Sequence, residues 1–260
     1  MRASLPSWLL TIALGLGPAS LIPALAATLR FGGFDWVVRT GQGGPGPNLW
    51  EEANVWLDPA GGLHLKIRQR DGRWSCAEVT TTQRLGFGRY QFQVEGPIDR
   101  LDDHVVLGLF NYPTADVGPD ATHEIDIEFA RWGIAGNPIG NYTVWPVDKT
   151  LKPTSKTFGF SLPGVSSTHR FEWSPQRLQF RSFSGFQEAD GVPLAEWLYE
   201  PVDAAKRIAQ KPMPVHINLW LFKGRPPRDG REIEVVIRAF EFVALSQRPA
   251  APSNLRLSAL

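Results

Sequence analysis

His123-Glu124-Ile125-Asp126-Ile127-Glu128-Phe129 alternates acidic and apolar residues one by one. Successive side chains of a β-strand point to opposite faces. The spacing therefore predicts a strand over 124–129, with Ile125, Ile127 and Phe129 on one face and Glu124, Asp126 and Glu128 on the other. The apolar face can pack between sheets. Three acids at i, i+2 and i+4 repel one another, and burial raises the cost of keeping them ionised. Such a row contributes little to folding and is best explained by chemistry in a polar cleft. Two other readings compete. Alternating acids resemble a calcium loop, but Ile125 and Ile127 favour a stiff strand, and no Gly supplies the turn of an EF-type loop. The other is a solvated edge strand with incidental charge.

Paired carboxyls suit one reaction in particular. Hydrolysis of a glycosidic bond needs two of them flanking the bond, ~5–5.5 Å apart when the mechanism is retaining. The Cα atoms of Glu124 and Glu128 would stand roughly 13 Å apart along an extended strand. Two long side chains leaning together over a concave sheet can close that gap. Asp126 lies between them, where it can hold one rotamer and push the two pKa values apart.

Strand after strand surrounds this segment. Leu63, Leu65 and Ile67 alternate with His64, Lys66 and Arg68, and Tyr90, Phe92 and Val94 alternate with Gln91, Gln93 and Glu95. Further strands are expected over 78–83, 105–112, 141–145, 169–173, 178–183, 215–220 and 233–242. Turn signals such as Asp71-Gly72, Ser174-Pro175 and Asp229-Gly230 separate them. Only 203–210 looks helical. Short strands at such spacing predict an all-β sandwich or jelly roll. With 260 residues, 43% of them hydrophobic and a net charge of +1, the chain can build a real core and shows no sign of a nucleic-acid or anionic-membrane partner.

The ends read differently. Met1-Arg2, the apolar run from Trp8 to Gly17 and Ala24-Leu25-Ala26 form an export signal over 1–26, too short to span a bilayer. The expected location is secreted or periplasmic, with no membrane attachment after cleavage. Residues 247–260 read as a polar tail, leaving one domain over 27–246. Cys76 is the sole cysteine. No intramolecular disulfide can form, and a small buried side chain is expected.

Glu124-Ile125-Asp126-Ile127-Glu128 resembles the signature of glycoside hydrolase family 16. Trp74-Ser75-Cys76-Ala77-Glu78-Val79, Gly86-Phe87-Gly88-Arg89-Tyr90, Phe171-Glu172-Trp173-Ser174-Pro175 and the stretch from Pro212-Met213-Pro214 to Asn218-Leu219-Trp220 resemble further motifs of that family. The resemblance covers most of the mature chain. It implies a concanavalin-like β-jelly-roll sandwich of two curved antiparallel sheets with a sugar-binding cleft. It also implies retaining hydrolysis, with Glu124 as nucleophile, Asp126 as helper and Glu128 as general acid/base. The unbulged spacing of Asp126 and Glu128 is that of the lichenase-like and xyloglucan-active members. A β-1,3-1,4- or β-1,3-glucan is the expected substrate and partner, acted on by a monomer. Transfer to a sugar acceptor, or carbohydrate binding without cleavage, are the alternatives. Glu78, Asn141, Asn218 and Trp220 match substrate contacts, with Asn48, Trp132 and Trp145 as further contacts. Thr80 stands where the lichenases carry an Arg. His123 is expected to pack inward beside Ile125. No cofactor or catalytic metal is expected, and a structural calcium cannot be assigned.

Overall fold

The computed structural model describes residues 26–245. The expected export signal, but for its last residue, and the expected tail lie outside the described residues. Eighteen strands follow one another. They are β1 (Thr28–Phe31), β2 (Phe34–Val38), β3 (Gly41–Gly43), β4 (Asn48–Trp50), β5 (Val55–Leu57), β6 (Leu63–Arg70), β7 (Arg73–Ser75), β8 (Ala77–Thr81) and β9 (Gly88–Glu95). Then come β10 (Val105–Asn111), β11 (Ile125–Ala130), β12 (Gly140–Val144), β13 (Thr154–Phe158), β14 (Ser166–Trp173), β15 (Leu178–Ser184), β16 (Ala195–Tyr199), β17 (Val215–Leu221) and β18 (Ile233–Ala244). The helix expected over 203–210 shrinks to one turn, α1 (Ala204–Arg207). Ile208 is fully buried and extended, so the chain leaves the helix to enter the core.

Two large antiparallel sheets face each other. The first runs β1-β2-β8-β17-β10-β11-β12-β13 and the second β16-β15-β14-β9-β18-β6-β5, with β7 paired to β6. The hairpin β3-β4 stands apart. This is the all-β jelly-roll sandwich that the alternating segments predict.

Period-2 alternation builds the core. Leu63, Leu65, Ile67, Tyr90, Phe92 and Val94 of the second sheet are fully buried, as are Ile125, Ile127 and Phe129 of the first. Each large apolar side chain removed from water contributes about 1.5–3 kcal/mol. Aromatic pairs fix the layers. Tyr142 of β12 stacks on Phe180 of β15 at 5.0 Å, and its hydroxyl donates to Ser182 Oγ at 2.7 Å. Tyr90 stacks on Phe171 at 4.4 Å. His169 sits fully buried under Phe129, with both ring nitrogens hydrogen-bonded, to Ser182 and Ser167. Burial pulls its pKa down to about 3, so it is a neutral core residue.

Candidate functional site

The first sheet turns its polar face to a cleft of about 760 Å³. Register puts the site together. Glu78 of β8, Asn218 of β17, Gly108 of β10, Glu128 of β11 and Asn141 of β12 lie in one cross-strand row. Thr80, His216, Phe110, Asp126 and Thr143 form the next row. Glu124 precedes the ladder by one residue but stays in line, because its carbonyl accepts from the Trp145 N–H at 2.9 Å. The three acids thus share one face of one strand, and residues that are distant in sequence are brought beside them.

Gly108 matters for the space it leaves. A Cβ there would lie 2.5 Å from Asn218 Oδ1 and 3.3 Å from the Phe110 ring. The glycine thus leaves the room that the Asn218 amide fills, in the row between Asn218 and Glu128, its partners on either side.

The acids differ in environment. Asp126 is buried, and its Oδ2 accepts from Trp145 Nε1 at 3.0 Å, while Oδ1 has no hydrogen-bond partner. Glu124 and Glu128 are half-buried. Burial raises all three. Glu124 is pushed up to about 8, first by burial and then by the Glu128 charge, with the neighbouring Asp126 carboxyl pulling the other way. Glu128 is pushed up to about 7 by burial. Asp126 lies well above the ordinary aspartate value, through burial and the charges of Glu124 and Glu128. Groups this close release protons in steps that belong to the set rather than to one residue.

A stability prediction follows from the sign of these shifts. A carboxyl whose pKa is higher in the fold than in the unfolded chain stabilises the fold below its unfolded value, near 4. That contribution is lost as pH rises through the folded values, about 7 and 8 for the two glutamates. Asp126→Asn mimics the protonated acid and keeps an acceptor for Trp145. Its Tm is expected to exceed that of the wild type at pH 8, with the gap closing near pH 4. Thermal unfolding at both pH values checks this, and a variant less stable than wild type at pH 8 contradicts it.

Glu78, Trp145, Asn218 and Trp220 line the cleft, together with Arg39, Pro45, Phe110, Tyr112, Asp120 and His216. Glu78 is buried, which pushes its pKa up. The hydrogen bond and charge of His216, with those of Arg39, outweigh burial and hold it below the ordinary value. The other expected contacts lie in supporting positions. Asn48 donates to the carbonyls of Pro45 and Leu221, tying β4 to β17. Asn141 donates to the carbonyls of Ala130 and Ile139 at 3.1 Å each. Trp132 packs edge-on against Phe222 at 5.6 Å and reaches Asn141 Oδ1 at 3.4 Å. His123 is buried against Thr122, but its φ of 61° breaks the alternation just before Glu124. Cys76 is buried, burial pushes its thiol up to about 12, and it donates to Asn48 Oδ1. It is a core residue.

His216 was within reach of the sequence, since the spacing of Asn218 and Trp220 extends back two residues to it. Arg39 was not: it reaches Glu78 only because β2 pairs with β8. Among the described residues, no group of three or more His, Cys, Asp or Glu side chains is placed to hold a metal ion, and no helix is long and apolar enough to cross a membrane.

Fold and site together define a β-jelly-roll sandwich with a row of three acids on one face of β11, of which Glu124 lines the cleft. No protein-family model and no curated protein matches the sequence. Solved structures do share its fold. A beta-glucanase from Bacillus licheniformis superposes with a TM-score of 0.57 at 19% identity, over 80% of this chain and 91% of its own. A laminarinase from Flavobacterium sp. UMI-01 does so with 0.60 at 15%, over 80% and 92%. A beta-1,3-glucanase from Mycobacterium marinum gives 0.58 at 16%, over 80% and 90%.

Proposed function

We propose that the protein is a retaining, endo-acting glycoside hydrolase that cleaves a β-glucan. The observation that carries this reading is the acid row itself: Glu124, Asp126 and Glu128 share one face of β11, and Glu124 lines a cleft together with indole and amide groups. Structures sharing the fold and described as beta-glucanases and a laminarinase support it.

Each acid takes one role. Asp126, the most buried, holds a proton, and its carboxyl lowers Glu124. Glu124 stands at about 8 and Glu128 at about 7 without a sugar, so in the reactive complex this influence of Asp126 has to offset the difference and place the charge on Glu124 and the other proton on Glu128. Glu124 attacks the anomeric carbon while Glu128 protonates the departing glycosidic oxygen, so the C–O bond to the leaving chain breaks as the glycosyl–Glu124 ester forms. Glu128, now ionised, takes a proton from water, whose oxygen bonds to the anomeric carbon and frees Glu124. Trp145 holds Asp126 in place. Asn218 and Trp220 line the cleft, where an amide can grip a sugar hydroxyl and an indole can offer an aromatic face. The export-type N-terminus fits a polysaccharide met outside the cytoplasm.

Reducing ends released from lichenan, laminarin, xyloglucan, agarose and carrageenan test the function. Release from lichenan or laminarin is expected, with the β-anomer formed first. No release from any of them rules out the hydrolase, and an α-anomer formed first rules out retention.

A further inference from the structure

Three charged or titratable side chains sit together in the cleft, three strands away from the acid row, and the chemistry above does not use them. Arg39 Nη1 donates to Glu78 Oε2 at 2.8 Å. Glu78 Oε1 lies 3.0 Å from His216 Nδ1. The Arg39 backbone N–H also donates to the Glu78 carbonyl at 2.9 Å. The guanidinium carbon stands 4.4 Å over the ring of Trp50, whose indole N–H donates to the Gly43 carbonyl at 3.2 Å. Gly43 has no side chain where the guanidinium lies, since a Cβ there would come within 2.9 Å of Arg39 Nη2. His216 is stacked on Phe110 at 5.0 Å. Arg39 is thus a planar cation fixed on an aromatic face, with one edge bonded to a buried carboxylate and its side chain lining the cleft.

This arrangement exceeds what an ion pair needs for stability. Arg39 is part-exposed and Glu78 buried, so their pair compensates a buried charge rather than adding much to folding. A guanidinium carries five N–H donors, and the bond to Glu78 uses Nη1. Donors on Arg39 beside acceptors on Glu78 match the alternating hydrogen bonds that adjacent sugar hydroxyls offer. The buried negative Glu78 neutralises Arg39, so an anionic substituent gains little there.

We propose that Arg39, held flat on Trp50 and paired with Glu78, is a specificity-determining residue that grips adjacent hydroxyls of an uncharged sugar at a subsite remote from the cleaved bond. Glu78 and Glu128 lie in one cross-strand row with two strands between them. At about 4.8 Å per strand the separation is roughly 14 Å, room for roughly two or three pyranose rings. The subsite rests on the hydrolase reading and names the substrate feature which that site selects.

The test compares wild type, Arg39→Gln and Arg39→Lys on neutral β-glucan oligosaccharides of increasing length. In the wild type, kcat/KM is expected to rise with length and then step up when the chain reaches Arg39. In Arg39→Gln that step is lost, roughly 10- to 100-fold on the long oligosaccharides and expressed in KM rather than kcat. Arg39→Lys keeps the charge and the pair with Glu78 but lacks the planar fork, so it also loses most of the step. Loss of the step in both variants supports the subsite. If both lose activity equally at every length, through kcat and with a fall in Tm, Arg39 is only structural and the proposal is overturned while the hydrolase reading stands. Wild type cleaving a sulfated or uronic polysaccharide faster than any neutral glucan overturns it too. Wild type cleaving none of these substrates sinks both readings together.

Discussion

Glu124→Gln is expected to lower kcat on a β-glucan by about 10⁵- to 10⁶-fold, the scale reached when an enzyme loses its nucleophile. The amide keeps the size and hydrogen-bonding reach of the acid but cannot form the ester. Glu124 stands at the entry to β11 with its backbone pinned to Trp145, so the exchange should leave the ladder intact. Binding should therefore survive, and oligosaccharide affinity measured on the inactive variant separates lost chemistry from lost structure. Chemical rescue supplies the stereochemical proof. In Glu124→Ala, azide can enter the vacated space and attack the anomeric carbon directly, displacing an activated aryl leaving group in one step. One inversion from a β-glycoside yields the α-glycosyl azide. A β-product, or a Glu124→Gln enzyme that turns over normally, would mean that this carboxyl is not the nucleophile.

The acid row could be read from sequence because three constraints agree there: period-2 spacing, residue type and fully apolar intervening positions. The long half-buried strands were legible for the same reason, and β6, β9, β10 and β17 fall within a few residues of expectation. The short outer strands were not. Thr154–Phe158 and Ala195–Tyr199 are largely exposed or half-buried, and their sequences carry no strict alternation of polar and apolar residues. They are strands because a neighbour offers them a ladder, and pairing partners are not written locally. The same limit governed the site. Glu78, Asn218 and Trp220 sit at strand positions whose face is fixed by spacing, and all three line the cleft. Asn48 and Asn141 donate instead to the backbone carbonyls of Pro45 and Leu221 and of Ala130 and Ile139, partners that strand spacing does not reveal. Arg39 follows a short strand in no motif, and only the lateral pairing of β2 with β8 gives it meaning.

Glu128 offers the second large effect, and its sign can be worked out. A general acid must carry its proton when the glycosidic oxygen departs, so kcat/KM should fall as pH rises through its ionisation. Glu124 and Glu128 titrate as one set, and the limb marks loss of the last proton that the set holds; burial raises the set, to about 7 at Glu128 and about 8 at Glu124, so the alkaline limb of the wild type is expected between about pH 7 and 8. Glu128→Gln has no proton to lose. On a natural glucan, whose leaving alkoxide needs protonation, it should be slower by about 10²- to 10⁴-fold. On a dinitrophenyl glycoside, whose leaving group departs without help, the first step should be nearly unimpaired and the alkaline limb should vanish. Azide then intercepts the glycosyl–Glu124 ester, and a second inversion gives the β-glycosyl azide, opposite to the product of Glu124→Ala. This pairing of outcomes is demanding, because a carboxyl that merely supported the cleft would slow both substrates alike and leave the limb in place. An alkaline limb that persists unchanged in Glu128→Gln would move the acid role to another group, with Asp126 the nearest candidate on the same face of β11.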